Sequence, residues 1–244
     1  MASHNIPELL MRTHEIRAHQ SSQSPGVAWV KTNAQHEELN LVLWSTPKRI
    51  DGTIEVFGRL PTLWHSWPNH PQYNIERELE ERGLLFVEEE PVMVADLRSA
   101  VDLVYYQPWM QVRVAETEAD LAEWARVWTG SRPSDRLLSA IAPFGIGPDR
   151  TVVHLLADVH GQPIACSAIA LAGDVAAIEH VVTVENYRRQ GVGAAMTKAS
   201  IECARDRGAH TAVLTASPEG EGIYRRLGFA EVDRVRRFRD PIQL

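Results

Sequence analysis

Hydrophobic and polar residues follow a regular pattern from about residue 110 to residue 240. Runs with an apolar residue at every second position predict strands, and runs with apolar residues three or four positions apart predict helices. The predicted order is β-α-α-β-β-β-α-β-α-β, an antiparallel meander that continues into a strand–helix–strand unit. This order is typical of a mixed-sheet α/β domain. The strands are predicted at Met110–Val114, Thr151–Val159, Ile164–Leu171, Val175–Val184, Thr211–Thr215 and Glu231–Phe238, and the helices at Ala119–Val127, Ser134–Ile141, Val192–Arg207 and Gly220–Leu227.

The first half of the chain has a weaker pattern. A loop from Leu60 to Pro71 contains three prolines, so it cannot be regular throughout. Asn74 is predicted to cap the helix after this loop, and Gly83 to end it. The elements predicted here are a helix within Ile6–Arg17, strands at Val27–Lys31 and Leu39–Trp44, a helix at Ile75–Arg82 and a strand within Pro91–Leu97.

Composition narrows the class of protein. The 244 residues are 44% hydrophobic and 23% charged, which is typical of a globular protein in water. No apolar run approaches the ~20 residues that span a bilayer, and the first residues lack the features of a secretion signal. Two cysteines, Cys166 and Cys203, are too few for a disulfide framework, and no Cys-x-x-Cys suggests a metal site. We therefore expect a cytoplasmic protein without a metal.

The net charge of −7 is unevenly distributed. Residues 184–240 contain ten Arg and one Lys against eight acidic residues, a balance of +3, so the rest of the chain carries −10. The acidic total argues against general nucleic-acid binding, which needs a basic surface. The local basic excess could serve a small polyphosphate ligand, or be a solvated basic face.

One turn in the basic region has the features of an anion site. It is Arg188-Arg189-Gln190-Gly191-Val192-Gly193-Ala194, between a predicted strand and a predicted helix. Backbone N–H groups at a helix N-terminus attract anions, helped by the helix dipole. Gly191 and Gly193 lack a Cβ, so a pyrophosphate can approach the backbone closely. The third glycine of a dinucleotide fingerprint and the Gly-Lys-Ser/Thr of a P-loop are missing. An ordinary glycine-assisted turn is the alternative.

Two segments resemble the GNAT acyltransferase family. Arg188-x-x-Gly191-x-Gly193 resembles the family signature Arg/Gln-x-x-Gly-x-Gly/Ala, and it follows the strand that corresponds to the family's fourth. Leu214–Phe229 is similar to the fifth strand, the next helix with its tyrosine, and the Tyr-x-x-x-Gly-Phe exit. Glu185 and Arg189 stand where many members have Pro and Gly, but neither change removes a backbone N–H.

The resemblance implies a GNAT fold, a mostly antiparallel twisted sheet with flanking helices. The first half is similar to N-terminal regions of a bacterial GNAT subgroup, where a degenerate GNAT-like half ends in a helix, an Arg-Gly-Leu turn and an apolar strand. We therefore expect a degenerate GNAT-like domain at residues 1–105 and the GNAT acyltransferase domain at residues 106–244. The first domain has no glycine signature, so it is expected to shape the acceptor pocket or pack the core.

By resemblance, the donor is acetyl-CoA or another acyl-CoA. A backbone N–H of the fourth strand, where this strand splays from its neighbour, would polarise the thioester carbonyl. Tyr224 matches the family tyrosine that acts as general acid; aromatic packing is its alternative role. Ser217 stands where many members have an Asn in contact with the cofactor. The donor-binding residues implied by the family are Val181, Val182, Thr183, Arg188, Arg189, Gln190, Gly191, Val192, Gly193, Ala194 and Ser217.

Glu179 is the leading candidate for the base that deprotonates the amine. It lies on the predicted fourth strand, at a position where members that deprotonate amines often have Glu or His. Strand alternation places Ala177 and Val181 on the face of Glu179, and His180 on the opposite face. An exposed carboxylate, a substrate-binding group and deprotonation through ordered water are the alternatives.

The Pro-rich loop contains a second group of notable residues, Trp64, His65, Trp67 and His70. They could line an acceptor pocket or stack on a planar substrate. Burial of the two indoles, which would pin the loop, is the favoured interpretation. Their spacing matches no metal site. Cys166 lies within a predicted strand and is expected to pack in the core.

The sequence therefore predicts an N-acyltransferase that moves an acetyl or other acyl group from acyl-CoA to a primary amine of a small molecule, by direct attack in a ternary complex. Three alternatives stay open. The donor could be carried by a carrier protein or a tRNA, the chain could bind CoA without activity, or the acceptor could be a protein or an N-terminus. No membrane partner is predicted, and no nucleic-acid partner other than a tRNA-bound donor.

Overall fold

The computed structural model describes residues 5–99 and 107–241. These residues form two compact units. Unit 1 contains residues 5–92 and 232–241, and unit 2 contains residues 93–99 and 107–231. Residues 105 and 106, where the sequence places the domain boundary, lie outside the described part, and that boundary stays a prediction.

Residues 5–96 begin with a helix and continue as strands separated by short helices. The elements in chain order are α1 (Ile6–Glu15), β1 (Gln20–Ser24), β2 (Val27–Lys31), β3 (Asn40–Ser45), α2 (Ile50–Phe57), β4 (Leu63–Ser66), α3 (Glu76–Glu80) and β5 (Leu85–Asp96). Short 3-10 turns at Glu37–Leu39 and Pro47–Arg49 precede β3 and α2.

Residues 111–239 follow the predicted order. The elements are β6 (Gln111–Val114), α4 (Glu118–Thr129), α5 (Asp135–Gly145), β7 (Val152–Val159), β8 (Gln162–Ala172), β9 (Val175–Thr183), α6 (Val192–Asp206), β10 (Thr211–Thr215), α7 (Pro218–Arg226) and β11 (Ala230–Arg239). The order β-α-α-β-β-β-α-β-α-β is confirmed, and each boundary lies within a few residues of its predicted place.

The sheet of unit 1 has the strand order β1-β2-β3-β4-β11-β5. β1, β2 and β3 form an antiparallel meander, β4 is parallel to β3, and β11 is antiparallel to β4. The core of this unit brings together apolar residues from the strands and from α2 and α3. Its members include Phe57, Trp64, Ile75, Leu79 and Phe238.

The sheet of unit 2 has the strand order β5-β10-β9-β8-β7-β6, to which β5 contributes residues 93–96. β6 to β9 form an antiparallel meander, and β10 is parallel to β9. The apolar side of α6, with Val192, Met196 and Ile201, packs on strand residues such as Ile169 and Ile178. The described residues thus confirm a mixed α/β fold with a mostly antiparallel sheet and flanking helices. None of the described helices is both long enough and apolar enough to cross a membrane.

The same order of elements occurs twice in the chain. β1-β2-β3-α2-β4-α3-β5 and β7-β8-β9-α6-β10-α7-β11 each consist of an antiparallel meander, a helix, a strand parallel to the last strand of the meander, a helix and a final strand. This repetition agrees with a degenerate GNAT-like first half. In the first copy the helix after the meander starts behind Arg49, which is not a glycine and has a φ of −104°.

Several elements of the first half were not predicted from the sequence pattern. β1 consists of Gln and Ser residues only, so it has no apolar alternation, and pairing with β2 defines it. α2 was not predicted, and β4 lies inside the Pro-rich loop, between Pro61 and Pro68. β5 begins at Leu85, before the predicted start at Pro91. The sequence pattern missed its first five residues because they are exposed or half-buried in the structure.

The predicted capping role of Asn74 is wrong. α3 begins at Glu76, its N-cap is Ile75, and no side chain caps it. The side-chain oxygen of Asn74 instead accepts a hydrogen bond from Ser66 Oγ (3.5 Å). Gly83, as predicted, follows the helix with left-handed backbone (φ 81°).

A glycine in a helix of unit 2 leaves no room for a larger side chain, and this can be tested. A Cβ on Gly145, at the end of α5, would lie 2.6 Å from the ring of His154. This ring is buried and packs edge-on against Trp124, so it cannot easily move away. We expect Gly145→Ala to lower the free energy of unfolding by about 1–3 kcal/mol, as overpacking does.

The matched control is Gly52→Ala in α2. Nothing lies within 4 Å of the added Cβ there, so the helix gains the higher helix propensity of alanine. We expect it to raise stability by up to about 1 kcal/mol. Both variants are compared with the parent chain by thermal and urea unfolding. A Gly145→Ala protein as stable as the parent would contradict the packing of His154.

Candidate functional site

The predicted anion-binding turn joins β9 to α6. After a 3-10 turn at Glu185–Tyr187, the backbone is left-handed at Arg189 (φ 59°) and Gly191 (φ 84°). Gly191 is the N-cap of α6, and the Ala195 N–H donates to its carbonyl (3.0 Å). The N–H groups of the three residues between them precede the first closed helical turn. Because glycine has no side-chain oxygen to cap them, the turn has the donor arrangement that suits a phosphate group.

The left-handed backbone of Gly191 favours glycine, and Gln107 lies beside it. A Cβ on Gly191 would lie 2.6 Å from Gln107 Nε2, and this amide also donates to the carbonyl of Gln190 (3.0 Å). Gly193 has more space, since its Cβ would make ordinary contacts. The turn therefore requires glycine at the first position of the pair and has room for alanine at the second. No motif in the sequence pointed to Gln107.

Polar side chains of the turn donate hydrogen bonds to backbone carbonyls just before it. Arg188 Nε donates to the carbonyl of Thr183 (3.0 Å), and Gln190 Nε2 donates to the carbonyl of Asn186 (2.9 Å). Arg188 and Arg189 are exposed and form no ion pair with any residue that the structure describes. The turn consequently keeps the positive charge of both guanidinium groups.

The strand before the turn parts from its neighbour. β9 and β10 form three parallel pairs, the last of which is Ala177–Val213. β9 continues beyond this pair to Thr183, and β10 to Thr215. The residues predicted to hold the pantetheine arm lie in the parted stretch and are half-buried: Val181, Val182 and Thr183.

A β-bulge interrupts β9 in the same stretch. The register with β8 shifts between Cys166 and Ala168, so that His180 and Val181 together lie opposite Ser167. His180 has a left-handed backbone with a φ of 53°, which is uncommon for a residue other than glycine. The extra residue breaks the alternation of side chains along the strand.

The prediction that His180 faces away from Glu179 is therefore wrong. Nε2 of His180 lies 3.9 Å from Oε2 of Glu179, and the two side chains are only 8% and 15% exposed. The bulge turns both side chains to the same side of β9. For the same reason, the alternation that placed Val181 beside Glu179 does not hold across His180.

Aromatic rings of α4 surround this pair. The His180 ring centroid lies 4.2 Å from that of Trp128 and 5.8 Å from that of Trp124. Trp124 Nε1 donates to the carbonyl of Ser167, opposite the bulge (2.8 Å), and its ring also contacts His154 edge-on (4.4 Å). α4 thus holds the bulge in place and provides an aromatic lining next to Glu179.

The start of α4 is fixed by charges and a cap. Thr117 Oγ1 accepts the N–H of Asp120, and the Asp120 carboxylate accepts the N–H of Thr117 (3.1 and 3.0 Å). Hydrogen bonds from Thr117 lower the pKa of the Asp120 carboxyl to about 2. Arg113 on β6 donates to Asp120, Glu123 and Asp158. These contacts tie α4 to the meander, and with it the two indoles beside the bulge.

α7 carries the predicted acid. Tyr224 is 9% exposed and contacts Phe229 edge-on at 6.0 Å. A Cβ on Gly220 would lie 2.7 Å from the tyrosine ring and 3.3 Å from its hydroxyl oxygen, so Gly220 leaves the space that Tyr224 fills. Ser217 is the N-cap of α7, and its Oγ accepts the N–H of Gly220 (3.3 Å). Its contact with a cofactor stays a prediction.

The predicted segments meet at Gly193. A Cβ built there would lie 3.9 Å from Thr183 Oγ1, at the end of β9, and 3.7 Å from Cδ1 of Ile223, the neighbour of Tyr224. The end of the strand and the tyrosine-bearing helix thus both lie next to the first turn of α6.

The cysteines are core residues. Cys166 is fully buried, which raises the pKa of its thiol to about 12, and burial also raises the pKa of Cys203. Such thiols carry almost no thiolate near neutral pH, so neither suits a nucleophile. The core position predicted for Cys166 is confirmed. Within residues 5–99 and 107–241, no three His, Cys, Asp or Glu side chains are grouped so as to hold a metal ion.

Much of the basic excess of residues 184–240 is neutralised within unit 1. Arginines of β11 bind glutamates of β5, of α3 and of the segment before β3. The pairs are Arg234–Glu89, Arg236–Glu89, Arg236–Glu76, Arg237–Glu88, Arg237–Glu90 and Arg239–Glu37. These arginines are therefore structural, and the charge of the anion-binding turn comes from its own two arginines.

The Trp and His residues of the Pro-rich loop are packed within unit 1. Trp64 and Trp67 are 3% and 0% exposed, and Trp67 Nε1 donates to the carbonyl of Leu43 (2.6 Å). Burial lowers the pKa of His65 well below its ordinary value, and His70 Nε2 lies 2.6 Å from Asp233 Oδ2. The favoured interpretation, burial of the indoles, is confirmed.

Comparison with known proteins gives a consistent result. A family model described as the acetyltransferase (GNAT) domain matches residues 150–231. A solved GCN5-related N-acetyltransferase from Kribbella flavida has a TM-score of 0.70 and 19% identity, over 97% of this chain and 94% of that chain. A GCN5-related N-acetyltransferase-like protein from Streptococcus suis has a TM-score of 0.58 and 17% identity, over 91% and 86%. No match was found among curated proteins.

Residues 150–231 of the chain therefore form a GNAT acetyltransferase domain. The fold that the chain shares with the Kribbella protein extends over nearly all of its length, the first half included.

Replacing Gly191 tests the anion-binding turn. Gly191→Ala puts a Cβ on left-handed backbone and against the Gln107 amide, at a cost of about 1–2 kcal/mol that distorts the turn. We expect CoA to bind at least about tenfold more weakly, measured by isothermal titration calorimetry. Gly191→Asp, which adds a negative charge, is expected to abolish binding.

Gly193→Ala is the comparison, because its Cβ meets only ordinary contacts. We expect a loss of affinity of less than about threefold, below 1 kcal/mol. Equal effects of alanine at both positions, or no effect at Gly191, would show that the turn does not hold the ligand.

Proposed function

We propose that the protein is an N-acyltransferase that moves an acetyl or other acyl group from acyl-CoA to the primary amine of a small molecule. The observation that carries this proposal is the meeting of three elements at Gly193: the anion-binding turn, the parted end of β9 and the helix with Tyr224. Acyl-CoA has a pyrophosphate, a polar arm and a thioester in this order, and the three elements offer suitable groups in the same order. The GNAT domain matched over residues 150–231 supports the same chemistry.

The proposed reaction is a direct attack. The amine nitrogen adds to the thioester carbon, the C–N bond forms and the C–S bond breaks. One proton of the amine passes to a base, and the departing thiolate takes a proton from an acid. Backbone N–H groups of β9 past Ala177 are the proposed donors to the intermediate oxyanion. A covalent route through Cys166 or Cys203 is disfavoured, because burial raises the pKa of both thiols.

We assign the acid role to Tyr224 and the base role to Glu179. The tyrosine is supported by its helix, which touches the turn through Ile223. Glu179 is supported by its low exposure and its place next to the parted strands. The bulge places His180 next to this base, with its Nε2 3.9 Å from Oε2 of Glu179. The Glu179 carboxylate lies beside His180, whose ring packs on Trp124 and Trp128, and a carboxylate next to aromatic rings suits a cationic amine.

The charges and the site residues also bear on the alternative donors and on the alternative of an inactive CoA-binding protein. A tRNA-bound donor would need a basic surface, and the arginines of β11 are taken up by ion pairs. A carrier protein would supply the same arm without a nucleotide. The proposed acid, the proposed base and the proposed anion-binding turn all lie in the described part of unit 2, which favours an active enzyme. We place the reaction in the cytoplasm, in agreement with the two free cysteines of the described chain.

Thiol release from several acyl-CoAs against a panel of amines and peptides tests the activity. We expect turnover with small primary amines. Tyr224→Phe is then expected to lower kcat by about 10- to 1,000-fold, within the range of general acids, while CoA affinity stays within about threefold. Phenylalanine keeps the ring packing against Phe229, so the fold is preserved. Undiminished turnover in this variant would exclude Tyr224 as the acid.

The base is identified by comparing kcat/KM in two variants. We expect Glu179→Gln to lower kcat/KM by about 10²–10⁴-fold. His180→Gln is expected to lower it by less than about tenfold, because the histidine is the neighbour and not the base. The reverse ranking would assign the base to His180, and small effects of both would exclude Glu179.

A further inference from the structure

A second turn lies beside the anion-binding turn. The Met110 N–H donates to the Gln107 carbonyl (3.0 Å), which closes a turn over residues 107–110. Pro108 occupies its second position, where the fixed φ of proline is favoured. The corner presents Trp109, which is 40% exposed, whereas Trp64, Trp67 and Trp124 are buried. An indole with this exposure at a rigid corner is a surface on which a flat ligand can lie.

Three contacts of the turn at residues 107–110 fix its place. Gln107 Nε2 donates to the Gln190 carbonyl (3.0 Å). Trp109 lies 6.2 Å from Tyr187, ring centroid to ring centroid, with an angle of 30° between the ring planes. Met110 packs against the core of unit 2. The exposed indole is therefore held next to the residue that precedes Arg188.

We infer that Trp109 and Tyr187 form a platform on which the adenine of CoA stacks. This inference rests on the proposed function, since it names the part of the donor that lies beyond the pyrophosphate. Adenine has a large flat face, and stacking on aromatic side chains is the way in which proteins commonly hold such bases.

The direction of the donor leads to this position. CoA has its pantetheine arm on one side of the pyrophosphate and its phosphorylated adenosine on the other. The arm is proposed to run along β9 towards Tyr224, so the adenosine leaves the turn on the opposite side. Arg188 and Arg189, which have no ion pair among the described residues, follow Tyr187 directly and provide charge for the phosphate on the ribose.

The platform discriminates between donors. The phosphopantetheine of a carrier protein ends in the protein and has no adenosine, so it gains nothing from Trp109 and Tyr187. A protein that has this platform recognises free acyl-CoA. The same two rings therefore separate the proposed donor from the carrier-protein alternative.

Binding of CoA and of 4′-phosphopantetheine to the full chain tests the platform by calorimetry. We expect Trp109→Ala to weaken CoA binding by about 5- to 100-fold, the effect of losing one stacked base, and Trp109→Phe to recover most of it. The affinity for 4′-phosphopantetheine is expected to be the same in all variants. Val112→Ala is the control, because Val112 is also 40% exposed and lies three residues further along the chain; it leaves both affinities unchanged.

Each outcome separates the platform from the proposed function. If Trp109→Ala binds CoA as the parent chain does, the platform is overturned and the proposed function stands. An equal loss of affinity for both ligands would show a general effect on the turn and would overturn the platform. A change of oligomeric state in light scattering, without loss of CoA affinity, would show that Trp109 contacts a second copy of the chain, and this result also overturns the platform. If the parent chain binds neither ligand, the proposed function itself fails.

Discussion

β9 and β10 exchange backbone hydrogen bonds over three residue pairs and then part, and the arrangement of the site depends on this separation. Buried backbone groups need partners, so a strand edge that has lost its neighbour must be satisfied by solvent or by a ligand. The bulge at His180 adds one residue on the other side of β9, where a bulge bends a strand and increases its twist. The strand that leaves its partner thus also brings two polar side chains together and leads into the anion-binding turn.

The two copies of the same element order show which local feature creates that turn. Both have a meander, a short 3-10 turn and a helix. In the second copy the helix begins behind Gly191, which has left-handed backbone with a φ of 84°. In the first copy Arg49 stands at this place with a φ of −104°, a conformation without the glycine opening. The architecture is therefore repeated, while the proposed anion-binding turn has a glycine that only the second copy has at this position.

Sequence reasoning succeeded where local pattern decides the structure. The amphipathic helices and apolar strands of residues 110–240 follow their periodicity, and glycines mark the turn before α6. It failed where distant partners decide. β1 has no apolar residue and forms a strand only by pairing with β2. The arginines of β11 bind glutamates that lie more than a hundred residues away in the sequence. The bulge was not predicted, because uninterrupted alternation of side chains along the strand was the simpler expectation. The left-handed backbone at the bulge is usually occupied by glycine, but here the residue is His180.

β11 has a consequence for the order in which the chain can fold. It lies between β4 and β5 in unit 1, and Arg236 meets Glu76 across a sequence separation of 160 residues. During synthesis, β4 and β5 emerge long before β11 does, and until then each has an edge without its partner. The sheet of unit 1 can therefore close only after the ribosome has made β11. Of the two sheets, the one whose first strands are made earlier is completed later.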